Sequence, residues 1–151
     1  MSEEHIAKVN SKDLPISTKS SIEVCNFIRS KSVADSKRLL KDVLNGKVAI
    51  PAKRFNKDRG HKPGRIAAGI YPRNVCKHVI ELLESVEANA QNKGLNVNNL
   101  IIKSVVPNKA SAPWRFGRHR RRKTKRTHIS IIVEEKSVKK PKDKVKEEKK
   151  K

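Results

Sequence analysis

Apolar residues recur at helical spacing in three stretches of this chain and alternate in two more, and these segments predict the elements of the fold. The clearest helix spans about Arg73 to Lys93, where Val75, Val79, Leu82, Leu83, Val86 and Ala90 share one face. Pro72 suits its entry, and Gly94 suits the position just past its end. A second helix runs from about Val33 to Leu44. Ser32 caps it, Asp35 favours its first turn and Gly46 ends it. Its stripe is Val33, Ser36, Leu39, Leu40 and Val43. A further helix is predicted from about Ser21 to Arg29, with Ile22, Cys25 and Ile28 inward and Ser20 and Glu23 forming a capping box. Strand alternation marks Leu100–Val106 and Ile129–Val133, which read as neighbours in one sheet with the helices against it. An edge strand near Leu14–Ser17 is an alternative that Pro15 demotes.

The pattern divides the chain into residues 1–19, an N-terminal extension with that edge strand; 20–135, one folded domain; and 136–151, a lysine-rich tail. The tail holds almost nothing to bury and reads as disordered. Inside the domain, residues 47–71 have no regular pattern. A structureless loop of that length is unusual in a compact unit, so it is expected to be functional or ordered by a partner.

Charge sharpens the picture. The 151 residues carry 37 Lys+Arg against 15 Asp+Glu, a formal net charge of +22. Such a surplus opposes compaction and points to a polyanionic partner. Between the two strands, residues 107–128 contain Lys109, Arg115, Arg118, His119, Arg120, Arg121, Arg122, Lys123, Lys125 and Arg126, and no acid occurs from Ala88 through Val133. Arranged as a β-hairpin, this segment has arms of about ten residues that reach roughly 33 Å. A body of about 100 residues has a radius of gyration of only ~13 Å. An isolated two-stranded hairpin is marginal in water, and like charges weaken it further, so it reads as inserted into something negative. A basic run is commonly just a solvated face. This one lies between two strands, which favours nucleic-acid contact. In the loop, Lys53, Arg54, Lys57, Arg59, Lys62 and Arg65 read as phosphate contacts against a single acid. Five aromatic residues are too few for a base-stacking platform, although Trp114 and Phe116 in the arm are placed either to stack on a base or to pack.

Other classes lack support. The histidines have no ligand spacing, and no Cys-x-x-Cys pair exists, so no metal is expected. Glu81, Glu84 and Glu87 recur every third residue, which reads as a charged helix face and not as paired catalytic acids. No glycine-rich phosphate loop or nucleophile motif appears; an enzyme and a cofactor are not expected. No apolar run is long enough to cross a membrane, and no leader pattern opens the chain. Cys25 and Cys76 read as buried thiols in a reducing compartment. From charge alone, a chromatin-like DNA-binding module remains the alternative to an RNA-binding protein.

Several stretches resemble one family. Val86–Lys103 is similar to the end of the third helix and the following strand of the ribosomal protein L twenty-two family, whose eukaryotic branch is called L seventeen. Arg126–Lys136 resembles its closing strand, and Val106–Arg122 takes the place of its long basic hairpin. Ile28–Val33 and Leu40–Val43 resemble the first two helices, and Pro51-x-Lys53-Arg54-Phe55 resembles an insertion of the archaeal and eukaryotic branch. The resemblance implies an α+β fold: three helices on a small antiparallel sheet, with a long basic β-hairpin extension. It implies binding to large-subunit ribosomal RNA beside neighbouring ribosomal proteins, a role in assembly, and a hairpin tip near the nascent polypeptide in the exit tunnel. Carried over, Lys53–Arg65 would be body contacts, and Lys109, Trp114 and Arg115–Arg126 hairpin contacts. The implied location is the cytoplasmic large subunit, with nucleolar assembly in a eukaryote.

Overall fold

The strand from Thr127 to Glu135 (β5) is the centre of the sheet, because its alternate residues Thr127, Ile129, Ile131 and Val133 are all buried on one face. In the computed structural model, which describes residues 5–136, β5 pairs antiparallel on both sides. One neighbour is Leu100–Lys109 (β4), with Val105 opposite Ile131. The other is Ile6–Leu14 (β1), with Val9 opposite Ile131 and Ala7 opposite Val133. The order β1-β5-β4 makes a sheet covered by helices on one face. Both strands predicted from alternation are present. The edge strand lies before Pro15, not at Leu14–Ser17. Its sequence has few apolar residues because an edge strand needs to bury little: only Ala7 is fully covered. Pro15 ends the strand, as expected of a residue that cannot donate to a ladder.

Three helices follow: α1, Thr18–Ile28; α2, Val33–Leu44; and α3, Arg73–Asn92. α1 lies on β4, α3 on β1 and β5, and α2 on α3. The core between them joins Val24 and Ile28 of α1, Leu40 of α2 and Leu83 of α3 to Ile102, Ile129 and Ile131 of the sheet. The Ser32 hydroxyl accepts from the Asp35 N–H at 3.0 Å, so the predicted cap of α2 forms. Leu39 of its stripe is only half-buried. The glutamates of α3 do form a charged face: Glu81 pairs with His78 at 3.2 Å and Glu87 with Lys37 at 2.6 Å.

The start of α1 differs from expectation. The helix begins at Thr18 with Ser17 as an uncapped N-cap, so Ser20 lies inside the first turn. Glu23 caps nothing. It is buried on the inner face beside Ser21, Val24 and Cys25, while Ile22 is only half-buried. Tertiary demand for a buried acid overrides the local capping pattern.

Each sheet edge is capped over part of its length, which hinders strand addition there. On β1, the Lys93 ammonium and the Asn89 amide donate to the carbonyls of Ile6 and Lys8 at 2.8 and 3.1 Å. On β4, the Ser30 N–H donates to Ile102 O at 3.1 Å, and Ile102 N–H to Lys31 O at 3.0 Å.

Residues 47–71 are not structureless. Ile50–Pro51 (β2) pairs with Gly69–Ile70 (β3), and His61 bridges Ala68. Gly69 sits against the Lys62 stem: a Cβ there would lie 2.7 Å from Lys62 Cγ and 3.0 Å from its Cβ, so only glycine allows the loop to close. The loop is ordered by this chain's own residues. The lysine-rich tail beyond residue 136 lies outside the described residues.

Cys25 and Cys76 are buried thiols, as expected. Burial pushes both from the ordinary 9.0 up to about 12, with Arg29 opposing this slightly at Cys25. The neutral thiols favour the fold fully below the unfolded value, and that contribution is lost as pH rises from about 9 towards 12. Near pH ~8, iodoacetamide is expected to spare both cysteines in the folded chain and to label both in denaturant. Labelling at the native rate of an exposed thiol would overturn this assignment.

Candidate nucleic-acid interface

The arm leaves the body where β4 ends at Lys109 and returns where β5 starts at Thr127. Its root is anchored. The hydroxyls of Thr18 and Thr127 lie 2.9 Å apart, and Thr127 Oγ1 donates to Ile16 O at 3.0 Å. These bonds tie the first turn of α1 to the point where the arm rejoins the sheet.

The expected hairpin of residues 107–128 is present, but beyond Lys109 its regular ladder gives way to an irregular one. Ala110 N–H donates to Arg126 O at 3.2 Å, Thr124 N–H to Pro113 O at 2.9 Å and Arg115 N–H to Arg122 O at 2.9 Å. Trp114 bridges Lys123, and a short 3-10 turn at Gly117–His119 closes the end. Pro113 interrupts donation, Gly117 adopts a φ of +62°, and no apolar cross-strand pairs exist to hold a regular sheet. No hydrogen bond or ion pair among the described residues joins residues 111–125 to the body.

Every basic residue predicted in the arm is exposed: Lys109, Arg115, Arg118, His119, Arg120, Arg121, Arg122, Lys123, Lys125 and Arg126. Among the described residues, only Arg126 meets an acid, with Asp13 at 3.8 Å. At the tip, Arg118, His119, Arg121 and Arg122 alone line a hollow of about 400 Å³. A hollow lined by three arginines and a histidine is suited to phosphate oxygens, since arginine grips them in two-point fashion. Trp114 is 59% exposed and carries the Lys123 ammonium 4.5 Å above its ring. Phe116 is 91% exposed.

The loop contributes a second basic patch. Lys53, Arg54, Lys57 and Arg65 are exposed, whereas Arg59 and Lys62 are half-buried. Lys62 lies 5.9 Å from the Tyr71 ring centroid. The patch is positioned from below by Glu23, which is 2% exposed. The N–H groups of Lys53, Arg54 and Phe55 donate to its carboxylate oxygens at 3.1, 2.9 and 2.8 Å. Three successive backbone donors thus converge on an internal anion, which leaves the side chains of Lys53 and Arg54 turned outward.

The two patches meet. A groove of about 710 Å³ runs between the start of α1, the loop and the arm root. Arg59 comes from the loop, and Lys109, Lys123, Lys125 and Arg126 from the arm.

Comparison with known proteins decides the family. The family model for ribosomal protein L22p/L17e matches residues 9–134. The large ribosomal subunit protein uL22 of Archaeoglobus fulgidus is 37% identical over 135 residues, covering 85% of this chain and 87% of that protein. The same-named proteins of Methanoculleus marisnigri and Methanosphaera stadtmanae are 39% and 37% identical over 139 and 140 residues. They cover 87% and 88% of this chain, and 91% of each relative is matched. The chain belongs to the ribosomal protein L22p/L17e family.

In this L22p/L17e chain, the structure also adds residues to the groove that sequence reasoning left out. Lys19 and Ile22 line it from α1, and Phe55 lines it from the loop. No signal along the chain links them to the arm, because the groove exists only once α1 is docked against the arm root. Ser20, read as a cap, faces the same groove.

Proposed function

We propose that this chain is a structural, non-catalytic constituent of the large ribosomal subunit that holds ribosomal RNA by phosphate neutralisation. One observation carries the reading: the arm and the loop present their cations outward with almost no acid to neutralise them, on an arm without a core of its own. The charge therefore lacks a structural use within the chain, and a polyanion supplies it. The relatives' shared name, large ribosomal subunit protein uL22, supports ribosomal RNA as that polyanion. It also favours this reading over a chromatin-like module. RNA duplexes are held by shape and by backbone contacts, for which an arginine-rich arm is suited. The contact set is Lys53, Arg54, Lys57, Arg59, Lys62 and Arg65 in the loop, and Lys109, Trp114, Arg115, Arg118–Lys123, Lys125 and Arg126 in the arm. A slender arm held only at its root reaches RNA far from the body. Its tip would border the nascent polypeptide in the exit tunnel, with other ribosomal proteins against the body. Assembly would take place in the nucleolus in a eukaryotic cell, and the finished subunit would act in the cytoplasm.

Sedimentation tests this. The chain is expected to travel with the large subunit through a high-salt wash, because an embedded arm cannot leave one contact at a time. Release at salt concentrations that strip loosely attached factors would sink the reading. In competition at ~150 mM salt, structured ribosomal RNA is expected to outcompete duplex DNA.

A further inference from the structure

The groove at the arm root differs from the hollow at the arm tip in having apolar residues in its lining. Ile22, Phe55, Ala110 and Ala112 line it together with lysines and arginines of α1, the loop and the arm. A surface that only neutralises phosphate needs cations and hydrogen-bond donors; it does not need apolar walls. At the arm tip, the hollow of Arg118, His119, Arg121 and Arg122 has none. The open groove, of about 710 Å³, has room for a small organic group.

A nucleotide whose base has left its helix has the matching chemistry. Its base offers flat apolar faces, and its flanking phosphates are anionic. A paired base hides its faces in the stack and cannot enter. We propose that this groove receives a single unpaired nucleotide of the ribosomal RNA, its base against Phe55 and Ile22 and its phosphates among the lysines of the arm root. The proposal rests on the RNA-binding reading above and specifies what one part of the surface recognises. Phe55 is held ready for this role. Its N–H is fixed to Glu23 at 2.8 Å, and its ring lies 5.5 Å from the Arg54 guanidinium and 5.6 Å from the Lys19 ammonium. An arriving base displaces the Lys19 ammonium from the ring onto the phosphate, an easy movement for a long flexible side chain.

The test uses assembled large subunits carrying the full chain. A photoreactive benzoylphenylalanine replaces Phe55 in one preparation and Arg118 in another, and adducts are mapped by reverse-transcription stops and by mass spectrometry. The expected adduct from position 55 lies on the base of one unpaired nucleotide. A position-55 adduct on a ribosomal protein or only on paired RNA, with position 118 still joined to ribosomal RNA, overturns the pocket and spares the RNA-binding reading. Loss of RNA adducts at both positions overturns both. As a second measurement, Phe55→Ala is expected to expose the mapped base to dimethyl sulfate or carbodiimide, with occupancy roughly 5- to 150-fold weaker by the usual strength of base–aromatic stacking. Phe55→Tyr, which keeps the ring, is expected to restore protection. Unchanged protection in Phe55→Ala overturns the pocket.

Discussion

Glu23→Ala is expected to lower the stability of the full chain by about 3–5 kcal/mol, a larger effect than any exposed charge in the molecule can produce. Glu23 is buried and receives three backbone N–H groups from consecutive residues, Lys53, Arg54 and Phe55. Hydrogen bonds to a charged acceptor contribute about 1.5–3 kcal/mol each, less when shared by one group. Alanine leaves those donors without a partner and opens a void beneath residues 53–55. Glu23→Gln separates hydrogen bonding from packing. Its oxygen can still serve Arg54 and Phe55, but its amide nitrogen then faces the Lys53 donor, so a loss of about 1–3 kcal/mol is expected. Denaturant midpoints at constant slope measure the losses. Amide exchange at residues 53–55 locates them, since those three protons are expected to lose protection before the core strands do. A glutamine variant as stable as the parent, with protection unchanged at residues 53–55, would show that the carboxylate does not hold the loop.

What the sequence reveals here depends on distance along the chain. α2 and α3 are legible because their stripes, the Ser32 cap and the glycines past their ends lie within a few residues of one another. β4 and β5 are legible because both alternate strongly. β1 is not, since its pairing with β5 spans the whole domain and asks little of its own side chains. Glu23 shows the same limit. Ser20 and Glu23 have the spacing of a capping box, yet the carboxylate turns to a loop some thirty residues onward. The basic arm needed no long-range knowledge, because net charge along the chain is a local property. The groove at its root did, because Lys19, Phe55 and Lys125 come from three separate segments. So the exposed basic residues are read directly, whereas those that shape the groove at the arm root become visible only in the fold.

The tip offers the opposite case to Glu23: a change that leaves the fold alone and weakens assembly. Replacing Arg120, Arg121 and Arg122 together by alanine is expected to leave the unfolding midpoint of the full chain within about 0.5 kcal/mol, because all three are exposed and form no ion pair with the described residues. Relief of like-charge crowding acts in the stabilising direction. Binding responds differently. Each phosphate deprived of its cation lowers the salt dependence of RNA affinity by about 0.7–0.9 in log–log slope, so removing three cations lowers it by roughly 2–3. Assembled large subunits are expected to fall correspondingly, with the variant washing off at lower salt. Arg→Lys at the same three positions keeps the charge but loses the planar fork. The lysine variant is therefore expected to recover the salt slope while staying weaker than arginine at every salt concentration. If the alanine variant and the parent share one slope and assemble equally well, the tip cations do not touch RNA. If lysine fully replaces arginine, the tip acts through charge alone, and the hollow formed by Arg118, His119, Arg121 and Arg122 has no geometric part in recognition.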